Sequence, residues 1–141
     1  MWLTYALLAA VLWGFNYALA EKILHSISPF TLLALEMLTG AILFLVLSYF
    51  TTLKKDLDVL VTEPTVLWLT IAEIAVVLLA SFFIVSSIRF KNATVAGIIE
   101  LIYPLFTILF TWVLFRESHV NAPVLIGGGL IFLGVLIISL T

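Results

Sequence analysis

Residues 94–117, TVAGIIELIYPLFTILFTWVLFRE, decide the fold. The run is apolar almost throughout, and about 22 residues at 1.5 Å each give roughly 33 Å, slightly more than a hydrocarbon core. It predicts a membrane-crossing helix. Yet a carboxylate, Glu100, and a proline, Pro104, stand inside it. Wound as a helix, Ala96, Glu100, Tyr103, Thr107 and Thr111 recur at steps of three and four, which places them on one continuous face. Pro104 has no N–H to offer the carbonyl four residues back, and that carbonyl belongs to Glu100. An ionisable side chain is thus set beside a freed backbone acceptor within the bilayer. Such a site is costly in lipid and is expected along a pathway. The plainer expectation is a kinked helix with a protonated, packed Glu100.

Outside this stretch the composition agrees. Of 141 residues, 65% are apolar and 10% charged, whereas water-soluble chains are roughly half apolar and a quarter charged. The net charge of −2 supplies no basic stripe for nucleic acid. The sequence has no cysteine, and its two histidines, His25 and His119, fall in connecting segments. Neither a metal nor any other cofactor is expected. An intramembrane enzyme lacks its parts: there is no Cys nucleophile, no pair of intramembrane His ligands and no Ser–His arrangement.

Five spans follow, at residues 2–23, 29–50, 66–88, 93–115 and 123–140. Each is near the twenty residues a crossing requires. A barrel would show alternating segments of about ten residues, which are absent. The expectation is an all-α integral membrane protein, one domain over residues 1–141, multi-pass in the plasma or inner membrane. Ala18-Leu19-Ala20 resembles a signal-peptidase site, but no Lys or Arg precedes the run, and Trp13, Gly14 and Asn16 interrupt it. A retained first helix is expected.

Span one places Tyr5, Ala9, Trp13, Asn16 and Ala20 on one face. Trp13 is too deep for the interfacial belt. Beside Asn16 it either lines a cavity, offering a π face to a cation, or serves close helix packing. Ser28-Pro29 is a helix start, the hydroxyl capping free amides. In span two, Glu36, Thr39 and Gly40 share a face. Between spans two and three, Leu53, Leu57, Leu60 and Val61 follow helical spacing and predict a short helix in the headgroup region. Span three carries Thr70 and Glu73. Span five has no charge, and Gly127, Gly128, Gly129 and Gly134 make it smooth and closely packable, a structural or dimerisation helix.

Orientation is not decided by charge. With the N-terminus inside, Lys54, Lys55 and Arg116 fall on one side and Lys22, Arg89 and Lys91 on the other, so the tally ties. Dual insertion with pairing as an antiparallel homodimer explains the tie, and orientation by other signals is the alternative. Glu36, Glu73 and Glu100 each lie about seven residues, or about 10 Å, into their spans. In an antiparallel pair, Glu73 of one copy joins the level of Glu36 and Glu100 of the other. Carboxylates gathered in a low dielectric oppose one another's ionisation, which suits proton exchange.

Trp13-Gly14-Phe15-Asn16 with Lys22 and Ser28-Pro29 resembles the opening of EamA-type domains of the drug/metabolite transporter superfamily. The later block matches further: Thr94, Ala96, Pro104, then Glu117, Gly127 and Gly134-Val135. The resemblance covers nearly the whole chain. Family members usually hold two such five-helix domains in inverted orientation, whereas this chain holds one, half of an inverted-repeat transporter. The resemblance therefore implies dimerisation, and with it export or exchange of small molecules by alternating access. Spans one, three and four are expected to line the cavity and span five to meet the partner. Many relatives carry an Arg where Glu36 stands, in Leu33-Ala34-Leu35-Glu36, and the reversed charge disfavours an anionic substrate.

The leading expectation is a secondary transporter, an exporter of small metabolites or of amphipathic or cationic compounds, by alternating access. Glu100, Glu73 and Glu36 are its candidate proton or cation sites. Tyr5, Trp13 and Tyr103 supply aromatic walls, Asn16 and Thr107 polar groups, and Pro104 with the glycines the freedom to rock. The alternative is a non-transporting membrane subunit that docks through span five onto a larger complex.

Overall fold

The computed structural model describes residues 1–118 and 120–140. The expected place of His119 in a connection lies outside the described residues. Among the described residues all regular structure is helical: α1 (Trp2–Ile23), α2 (Pro29–Tyr49), α3 (Leu53–Thr62), α4 (Pro64–Phe90), α5 (Ala93–Glu100), α6 (Tyr103–Phe110) continuing as a π-helical stretch (Thr111–Phe115), and α7 (Ala122–Ser139). Five segments among the described residues are long and apolar enough to cross a membrane: α1, α2, α4, the run from α5 through the π-helical stretch, and α7.

Helix starts are set by side chains that answer free amides. The Ser28 hydroxyl accepts from the Thr31 amide at 3.2 Å, with Pro29 in the first turn. Asn121 caps α7 through Val124 at 3.0 Å, with Pro123 following. The start of α5 is capped twice. Asn92 Oδ1 accepts from the Val95 amide at 2.8 Å, and Glu21 Oε2, reaching over from α1, accepts from the Ala93 amide at 2.7 Å. The amphipathic α3 forms where its spacing predicts, with Lys54, Lys55, Asp56 and Asp58 outward, but its buried face differs: Leu53, Val59 and Leu60 are half-buried while Leu57 and Val61 are exposed.

Two boundaries differ from the sequence reading. The third span starts at Pro64 and runs to Phe90, two residues longer at each end, so Glu73 lies nine residues past its start while Glu36 and Glu100 lie seven past theirs. The fourth span is not one helix. It breaks at Leu101–Ile102, because Pro104 withdraws a donor from the ladder there. The backbone tightens instead: the amides of Leu101, Ile102 and Leu105 bond to the carbonyls of Ile98, Ile99 and Ile102, each three residues back. The span ends at Arg116, in the left-handed conformation (φ 58°, ψ 23°), with its guanidinium 5.5 Å from the Trp112 ring centre.

The core sits at one end of the bundle, where α1 and α4 finish and α2 and α5 begin. Ala20, Leu24, Leu32, Val85, Ile88, Ala93 and Ala96 are buried together, with Tyr17, Ile27, Leu33 and Ile84 packed against them. Lipid tails are as apolar as these side chains, so the cohesion comes from close van der Waals fit; Ala20, Ala93 and Ala96 allow the backbones to approach. Toward the other end this packing stops. Every residue from Met1 to Phe15 and from Ile71 to Ala80 is exposed in the isolated chain, as are residues 34–47 apart from Gly40. Burial is thus concentrated at one membrane face; toward the other, α3 meets α2 and α4 and α7 meets the fourth span at Gly128 and Leu105, with most side chains exposed.

Candidate functional site

The open half begins at a polar contact. Tyr17 lies one turn before the buried Ala20 on α1, and Glu100 one turn after the buried Ala96 on α5. The Tyr17 hydroxyl donates to the Glu100 carboxylate. Both residues are half-buried. An acid within an apolar span needs a partner, and here it finds one 83 positions away. A hydrogen bond to an ionised acceptor is about twice as strong as a neutral one, so this tie weakens when Glu100 takes a proton.

The ring of Tyr17 is fixed on two further sides. Trp13, one turn back on α1, stands with its ring centre 5.7 Å away at an angle of 57°. On the α5 side the tyrosine lies against Gly97, where any β-carbon would sit 3.2 Å from Cδ2. Trp13 itself is 58% exposed and faces the open half. A carboxylate bonded to a tyrosine whose ring in turn meets an exposed tryptophan is suited to a proton or an organic cation.

Of the residues singled out from the sequence, Glu100 and Trp13 are brought together, through Tyr17. Asn16 is half-buried beside them on α1. Tyr5 lies further out along α1, 69% exposed. The expected continuous face from Ala96 to Thr111 is interrupted by a turn at Leu101–Ile102, between Ala96 and Glu100 on α5 and Tyr103, Thr107 and Thr111 beyond it; Tyr103 still lies near enough to Tyr17 to interact with it electrostatically. Tyr103 is exposed. The Thr107 hydroxyl donates to the Tyr103 carbonyl at 3.1 Å, so it is occupied by backbone. Thr107 also borders, with Thr111 and Trp112, a cleft of about 170 Å³ toward the far end of the span.

Glu36 on α2 and Glu73 on α4 are exposed, and among the described residues neither hydrogen-bonds to the Tyr17–Glu100 pair. The third span is two residues longer at each end than expected, so Glu73 keeps its distance from the span's midpoint. Among the described residues, no three His, Cys, Asp or Glu side chains gather as a metal would require. The glycines of α7 divide. A β-carbon on Gly128 would meet Leu105 Cδ2 at 2.8 Å, so Gly128 serves packing within the chain; Gly127, Gly129 and Gly134 face open space.

Tyr17 is the residue the sequence reading missed. It falls four positions after Trp13, as good a continuation of that face as Asn16 at three. Only the fold shows which of the two meets α5.

Spans one, three and four converge, as α1 with α4 and α5, while α7 contacts α5. Residues 1–140 match the sequence model described as the EamA-like transporter family. No curated protein and no solved structure matches the chain.

Proposed function

Since the chain belongs to the EamA-like transporter family, a family of multi-pass membrane transporters, we propose that it is a proton-coupled exporter. Its cargo on this reading is a small metabolite or an amphipathic cation, and it works by alternating access as an antiparallel homodimer in the plasma or inner membrane. The observation that carries this reading is the Tyr17–Glu100 bond at the border between the packed end and the open half. Above it the helices are held by apolar packing and by the Glu21–Ala93 bond; below it, most of the described residues of α1, α2 and α4 are exposed. A second copy placed upside down would enclose that open half and bring Glu36, Glu73, Tyr5 and Asn16 toward a shared chamber.

The coupling follows from the competition for Glu100. Ionised, it holds Tyr17 and ties α1 to α5. Protonated, or neutralised by a cation seated against Trp13, it holds Tyr17 less firmly, and α1 is freer to move. Proton and cargo exclude one another at the same carboxylate, which is what exchange requires.

The test is Glu100→Gln in proteoliposomes. Gln keeps the shape and an acceptor for Tyr17 but cannot carry the charge. Expected is the loss of pH-driven cation uptake, with folding and dimerisation unaltered. Wild-type pH-driven uptake by that variant would refute coupling through Glu100.

A further inference from the structure

At the packed end, beyond the site just described, the last turns of α1 and α4 leave a cleft of about 270 Å³. Its floor is apolar: Leu24 and Ile88, 4% and 2% exposed, are among the most buried residues of the core. Its rim is polar, formed by Glu21, His25, Arg89 and Lys91. Cations at the end of a helix are commonly no more than an answer to its dipole. Arg89, in the last turn of α4, and Lys91, its C-cap residue, fit that account; His25, two residues past the end of α1, does not need to be there for it. The one acid on the rim is already engaged, since Glu21 Oε2 accepts the Ala93 amide at 2.7 Å. What remains toward the opening are a guanidinium, an ammonium and an imidazole, all donors on exposed side chains.

We infer that this cleft seats a phosphate group. The depth is that of lipid headgroups, because α1 and α4 both end there, at Ile23 and Phe90. Apolar floor below and cationic rim above repeat the order of a lipid at the interface, and Phe90, 87% exposed beside Arg89, offers a surface for acyl chain. Arg89 presents the fork that matches two phosphate oxygens, and Lys91 a point charge for a third. A basic recess between helix ends is the usual form of an anionic-headgroup site. The inference is independent of the cargo, because none of the cleft residues belongs to the Tyr17–Glu100 site.

The experiment uses the purified full chain in detergent, titrated with phosphatidylglycerol or phosphatidylcholine and read by native mass spectrometry. Three proteins are compared: wild type, the double variant R89Q/K91Q, and K54Q/K55Q, which removes the same charge from α3. Expected is one phosphatidylglycerol held per chain in preference to phosphatidylcholine. Affinity should fall by about tenfold or more in R89Q/K91Q and stay unchanged in K54Q/K55Q. A parallel arm adds inorganic phosphate. Phosphate binding lost in R89Q/K91Q, with no lipid retained by wild type, would keep the phosphate seat and make the free anion its occupant. Equal retention of both lipids without phosphate binding, or equal losses in the two double variants, would overturn the inference. The single variant K91Q, outside the last turn of α4, repeats the comparison should the double variant fail to fold.

Discussion

A β-carbon on Gly97 would stand 3.2 Å from Cδ2 of Tyr17, so α5 has room for the Tyr17 ring only because it carries no side chain there. The ring cannot retreat freely, being held at its hydroxyl by Glu100 and flanked by Trp13. Gly97→Ala gains about 1 kcal/mol of helix propensity and loses a comparable amount by displacing the ring. Its melting temperature should therefore change little while transport falls. Gly97→Leu should lose both stability and transport. Thermal unfolding and initial uptake rates measure the two effects, and wild-type uptake by Gly97→Leu would show that the contact is idle.

Pro104→Ala restores a donor facing the Glu100 carbonyl. The break at Leu101–Ile102 should close into continuous helix, raising thermal stability and slowing amide exchange at those two residues. Transport should drop, because a continuous helix removes the hinge between the Glu100 turn and the half of the span beyond it. Exchange mass spectrometry reads the first effect and uptake the second. Unchanged exchange would mean that something other than the proline holds the break.

The α5 start rests on two acceptors serving different amides, Asn92 for Val95 and Glu21 for Ala93. Asn92→Ala should cost about 1 kcal/mol, and Glu21→Ala a similar amount, since its bond is charge-assisted and crosses between helices. Glu21→Gln keeps an acceptor and should cost less. Because the amides are distinct, the double variant should come close to the sum. Denaturant titration in detergent checks all four, and a double variant no worse than either single would show that one cap does the work of both.

Antiparallel pairing makes a labelling prediction. A single cysteine at Ser26, in the connection after α1, should react with impermeant reagent from both sides of the membrane. Gly134→Leu, on the open glycine face of α7, should convert dimer to monomer, whereas Gly128→Ala, which meets only the mobile end of Leu105, should leave the dimer intact. One-sided labelling at position 26 would remove the antiparallel arrangement.

Much of the architecture was legible from periodicity and length alone. Hydropathy located all five spans, Ser28 and Pro29 marked a helix start, and the spacing of Leu53, Leu57, Leu60 and Val61 gave α3. These are local properties, written within a few turns. The break at Leu101–Ile102 was half legible: the proline announced a disturbance, but the tightened turn and the π-helical stretch after it depend on how the ladder recovers. Least legible was the site. Glu100 stood out as an acid in lipid, yet its partner is 83 residues away, and the choice between Asn16 and Tyr17 turns on the packing of α1 against α5. The concentration of the core at one end left no trace in composition, because the open half is just as apolar.

That lopsided core has a mechanical corollary. A fan of rods pinned at one end moves little near the pin and much at the tips. Over the roughly 30 Å of a twenty-residue helix, a tilt of about 10° carries the free end some ~5 Å while Ala20, Ile88 and Ala96 scarcely shift. In the proposed alternating-access cycle, the far membrane face would swing by the width of a side chain without unpacking the pivot that keeps the rods together.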